Sequence, residues 1–283
     1  MHAKPQPQRF ERKYFITERQ AREIQGILAG HMVPDRFSEV RPDHMYPVHS
    51  LYVDSVDLST YWATVHCEKK RFKLRVRFYD DASGSPLFFE IKRRENECIL
   101  KQRGLVKRDS GALLLAGHVP GTGHLVSATP ESLGAVQRFC FLMQRLRAQP
   151  TVVVSYLREA WVSPDGRSVR VTIDREVRGE VRREPIFDSR MRRPVAPFGA
   201  RSILEVKFTE RYPDWFRHMV EHFGLIQIAV PKYCGSVASA LEYRSMVRGP
   251  NGVGRGASAG DDGSWGELGV APAEVPSGGG AYV

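Results

Sequence analysis

The chain is 283 residues long and carries 42 Lys and Arg against 32 Asp and Glu, a formal charge of +10, which excludes an acidic solvating protein and points to a polyanionic partner. Apolar residues make up 42% of it, enough for a sizeable core, yet no run reaches the ~18 apolar residues that cross a bilayer, and the polar start M-H-A-K-P-Q-P-Q lacks the apolar stretch of a secretory signal. The expected location is cytoplasmic, with Cys67, Cys98, Cys140 and Cys234 as reduced thiols, since no two form a C-x-x-C pair.

Composition changes after Arg248. Residues 249–283 contain 11 glycines in 35 positions, few large apolar side chains and a net charge of −3, so they cannot bury enough surface to offset the entropy of ordering. A disordered Gly-rich tail is expected over 249–283, and its deletion is expected to leave stability and turnover unchanged. Residues 1–248 then hold +13. No Pro/Gly/Ser linker interrupts 9–248, so one domain is expected over 1–248.

In chain order, a strand at 9–16 leads into a helix that Thr17 caps, with Gln20 completing a capping box and Ala21, Ile24, Ile27 and Leu28 forming its apolar stripe. A loop covers 34–47 and a strand 49–54. Strands at 70–79 and 87–94, joined by the turn-rich D-D-A-S-G-S-P, form an antiparallel pair, with a short strand at 98–103. Leu133, Val136, Phe139, Cys140, Met143 and Leu146 line one face of a helix that ends before Pro150. Strands at 152–162, 169–177 and 202–209 follow, then helices near 213–223 and 235–247.

The polar residues on these strands recur at i, i+2, which places them on one face. Glu11 pairs with Lys13 in this way, Lys73 with Arg75 and Arg77, Glu90 with Lys92, Arg170 with Thr172 and Asp174, and Glu205 with Lys207; Arg158 adds a further strand. The alternate positions are apolar. A solvent-facing sheet with cross-strand ion pairs would explain any one strand. Five together suit an α+β fold in which a closed antiparallel β tunnel barrel has a charged lumen and flanking helices.

In such a lumen seven cations (Lys13, Arg75, Arg77, Lys92, Arg158, Arg170, Lys207) face four carboxylates (Glu11, Glu90, Asp174, Glu205), a surplus of three positive charges. Confined cations need anions, and a phosphate chain supplies them, because Arg binds phosphate bidentately and Lys acts as a point charge. The carboxylates then read as ligands for Mg²⁺ or Mn²⁺, hard ions that bridge phosphates. Positioned phosphates, a metal and cations are what phosphoryl transfer needs. Because the lumen cations repel one another when empty, Arg75→Ala or Arg77→Ala is expected to weaken phosphate binding without destabilising the free protein.

F-E-R-K-Y at 10–14 resembles the E-x-K signature of the triphosphate tunnel metalloenzymes. K-L-R-V-R-F-Y, F-F-E-I-K-R-R, S-Y-L-R-E-A-W, V-R-V-T-I-D, I-L-E-V-K-F and V-P-K-Y-C follow in order and resemble the VTC branch of that superfamily, the polyphosphate polymerase domain, over about 9–241. The resemblance implies a CYTH-like tunnel that binds ATP and polyphosphate with a divalent metal, often Mn²⁺, and transfers the γ-phosphoryl group to a growing chain. It implies phosphate-binding and catalytic roles for Lys13, Arg75, Arg77, Lys92, Arg158 and Arg170, a metal role foremost for Glu205, and basic positions near the tunnel mouths for Lys101 and Lys232. No counterpart of the sensor module and membrane helices of the fungal proteins is expected in these 283 residues. The same tunnel elsewhere hydrolyses triphosphates, so a tripolyphosphatase or nucleoside triphosphatase, and a non-catalytic polyphosphate-binding module, are the rival readings.

Two further motifs are read as ordinary surface. His218, Glu221 and His222 spell H-x-x-E-H but face away from Trp215, Phe216, Met219, Val220 and Phe223, so a solvated helix face is expected. The basic run 178–193 lacks the interleaved aromatics of a nucleic-acid surface and is expected to be a mobile charged loop at a tunnel mouth.

Overall fold

The computed structural model of the chain describes residues 10–248 except Glu97, Arg167 and Glu210, with the backbone alone for 243–248. The expected tail at 249–283, and Arg9 of the expected first strand, lie outside the described residues. Strand β1 (Phe10–Ile16) runs into helix α1 (Glu18–His31). Gln20 N donates to Thr17 Oγ1 at 3.2 Å and Thr17 N to Gln20 Oε1 at 2.9 Å, closing the expected capping box, a device that contributes about 1 kcal/mol. Ala21, Ile24 and Leu28 are buried beneath it, the larger two contributing ~1.5–3 kcal/mol each.

The expected loop at 34–47 contains a two-residue strand β2 (Val33–Pro34) and one turn of helix, α2 (Arg36–Glu39), and β3 (Met45–Asp54) begins earlier than its apolar run indicates. Helices α3 (Ser59–Val65) and α4 (Arg108–Leu115) were not legible in the periodicity. β4 (Lys70–Phe78), β5 (Leu87–Glu95) and β6 (Cys98–Val106) form consecutive hairpins, and α5 (Pro130–Arg145) crosses to β7 (Gln149–Val162), β8 (Val169–Val181) and β9 (Ser202–Phe208). α6 (Asp214–His222) and α7 (Lys232–Arg248) end the described fold.

The strands make one antiparallel sheet in the order β1-β9-β8-β7-β3-β4-β5-β6, with β2 pairing β7. It curls so that the charged alternate positions share its inner face. Closure by hydrogen bonds, however, does not occur: among the described residues no ladder joins β6 to β1, and only an ion pair between Lys92 on β5 and Glu11 on β1, at 3.9 Å, spans that side. The expectation of a fully closed barrel is corrected to a curled sheet with an open seam, whose β6 edge is kept polar by Lys101, Gln102 and Arg103, as an unpaired edge requires.

Two apolar clusters lie outside the curl. Leu74, Val76, Phe78, Leu87, Phe89 and Ile91 pack under α4 and α5, and Tyr14, Ile16, Val171, Leu204 and Val206 under α1 and α6. A third lies inside, where α7 brings Tyr233, Cys234 and Val237 against Tyr52, Val152, Val154 and Val177. Gly179 permits this approach, since a Cβ there would stand 2.4 Å from that of Ser236. Tyr233 donates at 2.5 Å to the fully buried Asp54, whose carboxylate also receives Thr60 Oγ1 and the backbone of Thr60 and Tyr61. One carboxylate thus ties α3 and α7 to the end of β3.

Candidate functional site

Each of the four carboxylates expected on the inner face holds at least two cations. Glu90, almost fully buried, accepts from Arg75 at 2.6 Å and Lys101 at 2.7 Å, with Arg77 at 3.9 Å. Burial alone would raise its pKa, but these three charges hold it well below the ordinary carboxylate range. Arg75 also reaches the Tyr52 hydroxyl at 3.3 Å, and Arg77 the hydroxyls of Ser50 and Tyr156 at 3.4 Å. Asp174, fully buried, takes both oxygens to Arg158 at 2.6 and 2.8 Å and accepts from Lys232 at 2.7 Å. Its pKa falls to about 2, burial being outweighed by Arg158 and then Lys232. The Tyr156 ring lies under both of those cations, 5.2 Å from Arg158 and 5.0 Å from Lys232.

Glu11 and Glu205 are held differently, by lysines alone. Lys13 Nζ lies 2.7 Å from Glu11 and 3.4 Å from Glu205, and Lys207 contacts Glu205 closely and Glu11 at 3.8 Å. Two ammonium groups therefore sit between two carboxylates. Both carboxyls are held below the ordinary range: burial pushes both up, with repulsion from Glu205 adding at Glu11, and the neighbouring cations, chiefly lysines, outweigh this. Lys13 is pushed up, its burial outweighed by those two partners. Lys92 behaves in the opposite way. Its nearest carboxylate is 3.9 Å off, and burial, with Lys13 and Lys207 adding repulsion, pushes it down to about 7. Although 42% of its side-chain surface is open, that surface faces the concave interior.

The strand register adds what the sequence did not single out. Lys73 on β4 stands opposite Lys92 on β5, which stands opposite Lys101 on β6, a row of three like charges that is destabilising without an anion. Burial lowers the pKa of all three. The i, i+2 pattern had already put Lys73 on the face of Arg75 and Arg77. Asp35, the N-cap of α2, is a second addition: it accepts from Arg170 at 2.5 Å. No periodic signal marks it. Counting both, the ten inner cations named above meet five carboxylates, a surplus of five positive charges among them.

The four carboxylates expected to hold metal do not meet at one point, and among the described residues no group of three His, Cys, Asp or Glu converges as a metal site. Glu11 and Glu205 do share a space, and Thr172, opposite Glu205 in register, has a buried hydroxyl with no hydrogen-bond partner. Two carboxylates and a hydroxyl are hard oxygen donors that suit Mg²⁺ or Mn²⁺, which bind through one or two carboxylates plus phosphate oxygens. The repulsion expected to make Arg75 dispensable to the empty protein is also corrected, because Arg75 is the closest partner of a buried carboxylate.

Elsewhere, His218, Glu221 and His222 are all exposed, as expected. The run 178–193 is not a free loop: its start belongs to β8, and Arg182 ties the remainder by bonds to Asp188 at 2.8 Å and to the carbonyls of Ile186 and Arg190. On the outer face Glu159 and Arg175, both buried, pair at 2.7 Å beneath α1, where Gln25 and Trp161 complete the carboxylate's bonds. That group is structural.

The profile of the VTC domain family matches residues 8–241. No curated protein matches the sequence significantly. Among solved structures, the chain is similar to a putative adenylate cyclase from Bacillus halodurans, at 11% identity over 78% of this chain and 91% of that one with a TM-score of 0.44. It is also similar to a protein from Pyrococcus horikoshii OT3, at 11% identity over 84% and 100% with a TM-score of 0.40. A putative adenylate cyclase from Vibrio parahaemolyticus gives 10% identity over 80% and 95% with a TM-score of 0.39. At such scores these likenesses bear on neither substrate nor activity. Among the described residues no helix is long and apolar enough to cross a membrane.

Proposed function

Because the chain belongs to the VTC domain family, we propose that it is a metal-dependent polyphosphate polymerase that transfers the γ-phosphoryl group of ATP to a polyphosphate chain inside the curled sheet. The observation that carries this reading is the surplus of inner cations, arranged on seven strands and α7 about one space. Arg75, Arg77 and Arg158 are the fixed part: Glu90 and Asp174 hold their guanidinium planes, leaving other N–H groups to fork onto phosphate oxygens. Lys13 and Lys207 are the movable part, point charges on flexible stems that exchange Glu11 and Glu205 for phosphate. Lys73, Lys92, Lys101, Arg170 and Lys232 extend the cationic lining.

When the lysines leave, Glu11 and Glu205, with the Thr172 hydroxyl, are the oxygens that would hold a divalent ion. Bound there, Mn²⁺ or Mg²⁺ would neutralise charge on bridging phosphate oxygens. In the transfer, a terminal oxygen of the polyphosphate chain forms a bond to the γ-phosphorus while the bond from that phosphorus to the β,γ-bridging oxygen breaks, releasing ADP. The chain's arginines and lysines hold donor and acceptor in line, which is most of what this chemistry asks of a protein.

Incubation with ATP and Mn²⁺, followed by assay of long-chain polyphosphate and of orthophosphate, tests the reading. Polymer with stoichiometric ADP is the expected result. Orthophosphate without polymer would replace it with a tripolyphosphatase or nucleoside triphosphatase, and binding without either product with a polyphosphate-binding module.

A pH dependence follows from Lys92. Held near 7 in the empty protein by burial, it is largely neutral at pH 8.5, and a phosphate chain beside it restores the charge. Polyphosphate binding to metal-free protein is therefore expected to take up protons and to weaken severalfold between pH 6 and 8.5. Lys92→Met is expected to lose that part of the slope. Parallel profiles for the two proteins, measured by titration calorimetry in buffers of different ionisation enthalpy, would show that Lys92 does not meet the chain.

A further inference from the structure

Three aromatic rings stand together where the inner face opens at the start of β3. Phe37 of α2 and Tyr79, which follows β4, lie nearly parallel, with ring centroids 6.5 Å apart and 9° between their planes. Tyr46 of β3 is tilted by 52° and 54° to them, at 5.9 and 6.3 Å. The three centroids form a nearly equilateral triangle, a shallow aromatic cup with the buried Tyr46 at its base. Phe88 of β5 supports Tyr79 edge-on at 5.5 Å. Phe37 is 51% exposed, so a ligand can reach its ring from solvent.

The surroundings limit what this cup can take. Tyr46 stands directly opposite Arg158 on β7. Asp35 accepts from Arg170 and, through the same carboxylate, from the backbone N–H of Phe37 at 3.0 Å, so one residue fixes a lumen cation and a wall of the cup together. Arg36 covers the Phe37 ring at 4.6 Å. Aromatic cups elsewhere take quaternary cations, but a cup flanked by Arg36, Arg158 and Arg170 repels them. A neutral planar ring tethered to an anion satisfies both features, since bases stack on aromatic faces whatever their sequence and the anion meets the arginines.

We propose that Phe37, Tyr79 and Tyr46 form a nucleobase site at this mouth, with the base stacked on Phe37 and Tyr79 and the phosphates of the same nucleotide running inward past Arg170 and Arg158. The proposal rests on the reading of the lumen as a triphosphate tunnel and adds which mouth admits the nucleotide. Tyr46 keeps its proton, its pKa pushed up to about 12 by burial, so its hydroxyl remains a donor beside the base.

The test compares ATP with inorganic tripolyphosphate, which has the same phosphates and no base, on wild type, Phe37→Ala and Phe37→Trp by titration calorimetry. Loss of one stacking face is expected to weaken ATP binding about fivefold or more. Tripolyphosphate affinity should be unchanged, and Phe37→Trp should bind ATP at least as well as wild type. Equal affinities of wild type and Phe37→Ala for ATP, or equal losses for both ligands, would overturn the base site while leaving the tunnel reading intact. Failure of wild type to bind either ligand would overturn both.

Discussion

Glu205→Gln is expected to lower turnover on the order of 10²-fold and to move the metal requirement to higher concentration. The substitution keeps the shape of a side chain that is 5% exposed and removes one of the two negative charges facing Lys13 and Lys207. Metal-free polyphosphate binding should survive and tighten, because the lysines released by Glu205 are free to meet phosphate. Glu90→Gln supplies the contrast. Glu90 braces two arginines and a lysine, so its loss should weaken phosphate binding and leave the metal midpoint in place. Superimposed metal titrations for wild type and Glu205→Gln would remove Glu205 from the metal site and make it a brace for its lysines.

Much of this arrangement is legible in the sequence, for a physical reason. A strand with one face in the core and one in a charged interior writes both faces into its alternation, so Lys13, Arg75, Arg77, Lys92, Arg170 and Glu205 announce their side of the sheet before any fold is known. Pairing is not written there. That Glu90 serves Arg75 and Lys101, or that Lys73, Lys92 and Lys101 form a row, depends on strand order and register.

Alternation also fails where the chain inserts a residue. Glu176 adopts a positive φ of 50° at the irregularity between β7 and β8, which turns it outward and puts Val177 and Gly179 on the inner face that α7 needs. Counting by twos from Asp174 places Glu176 inside. The short helices α2, α3 and α4 escaped because a helix of one or two turns has too few positions to show a 3.6-residue period. Asp35 escaped with them, since as a helix cap its partner Arg170 is distant in sequence and reached only by folding.

Arg75→Ala is expected to harm both folding and binding, and the two losses are separable. Breaking a buried ion pair costs about 3–5 kcal/mol, moderated here because Lys101 and Arg77 remain beside Glu90. At ~2–4 °C per kcal/mol for a domain of this size, the free protein should melt on the order of 10 °C lower. The pH dependence has a definite sign. Glu90 is held below its ordinary value of 4.5 by cations that outweigh its burial, so its contribution is present above that value and is lost as pH falls through the depressed one. Without Arg75 burial weighs more, the carboxyl rises, and acid unfolding should begin at higher pH than in wild type. Adding Glu90→Gln to Arg75→Ala removes the under-compensated charge and should recover part of the melting temperature. It cannot restore a phosphate contact. Loss of one charge-assisted hydrogen-bonding group should weaken polyphosphate binding about 10- to 100-fold, in the single and the double variant alike. If the double variant regained affinity together with stability, Arg75 would act on phosphate only by holding the sheet in shape, and the fixed cations of the lumen would reduce to Arg77 and Arg158.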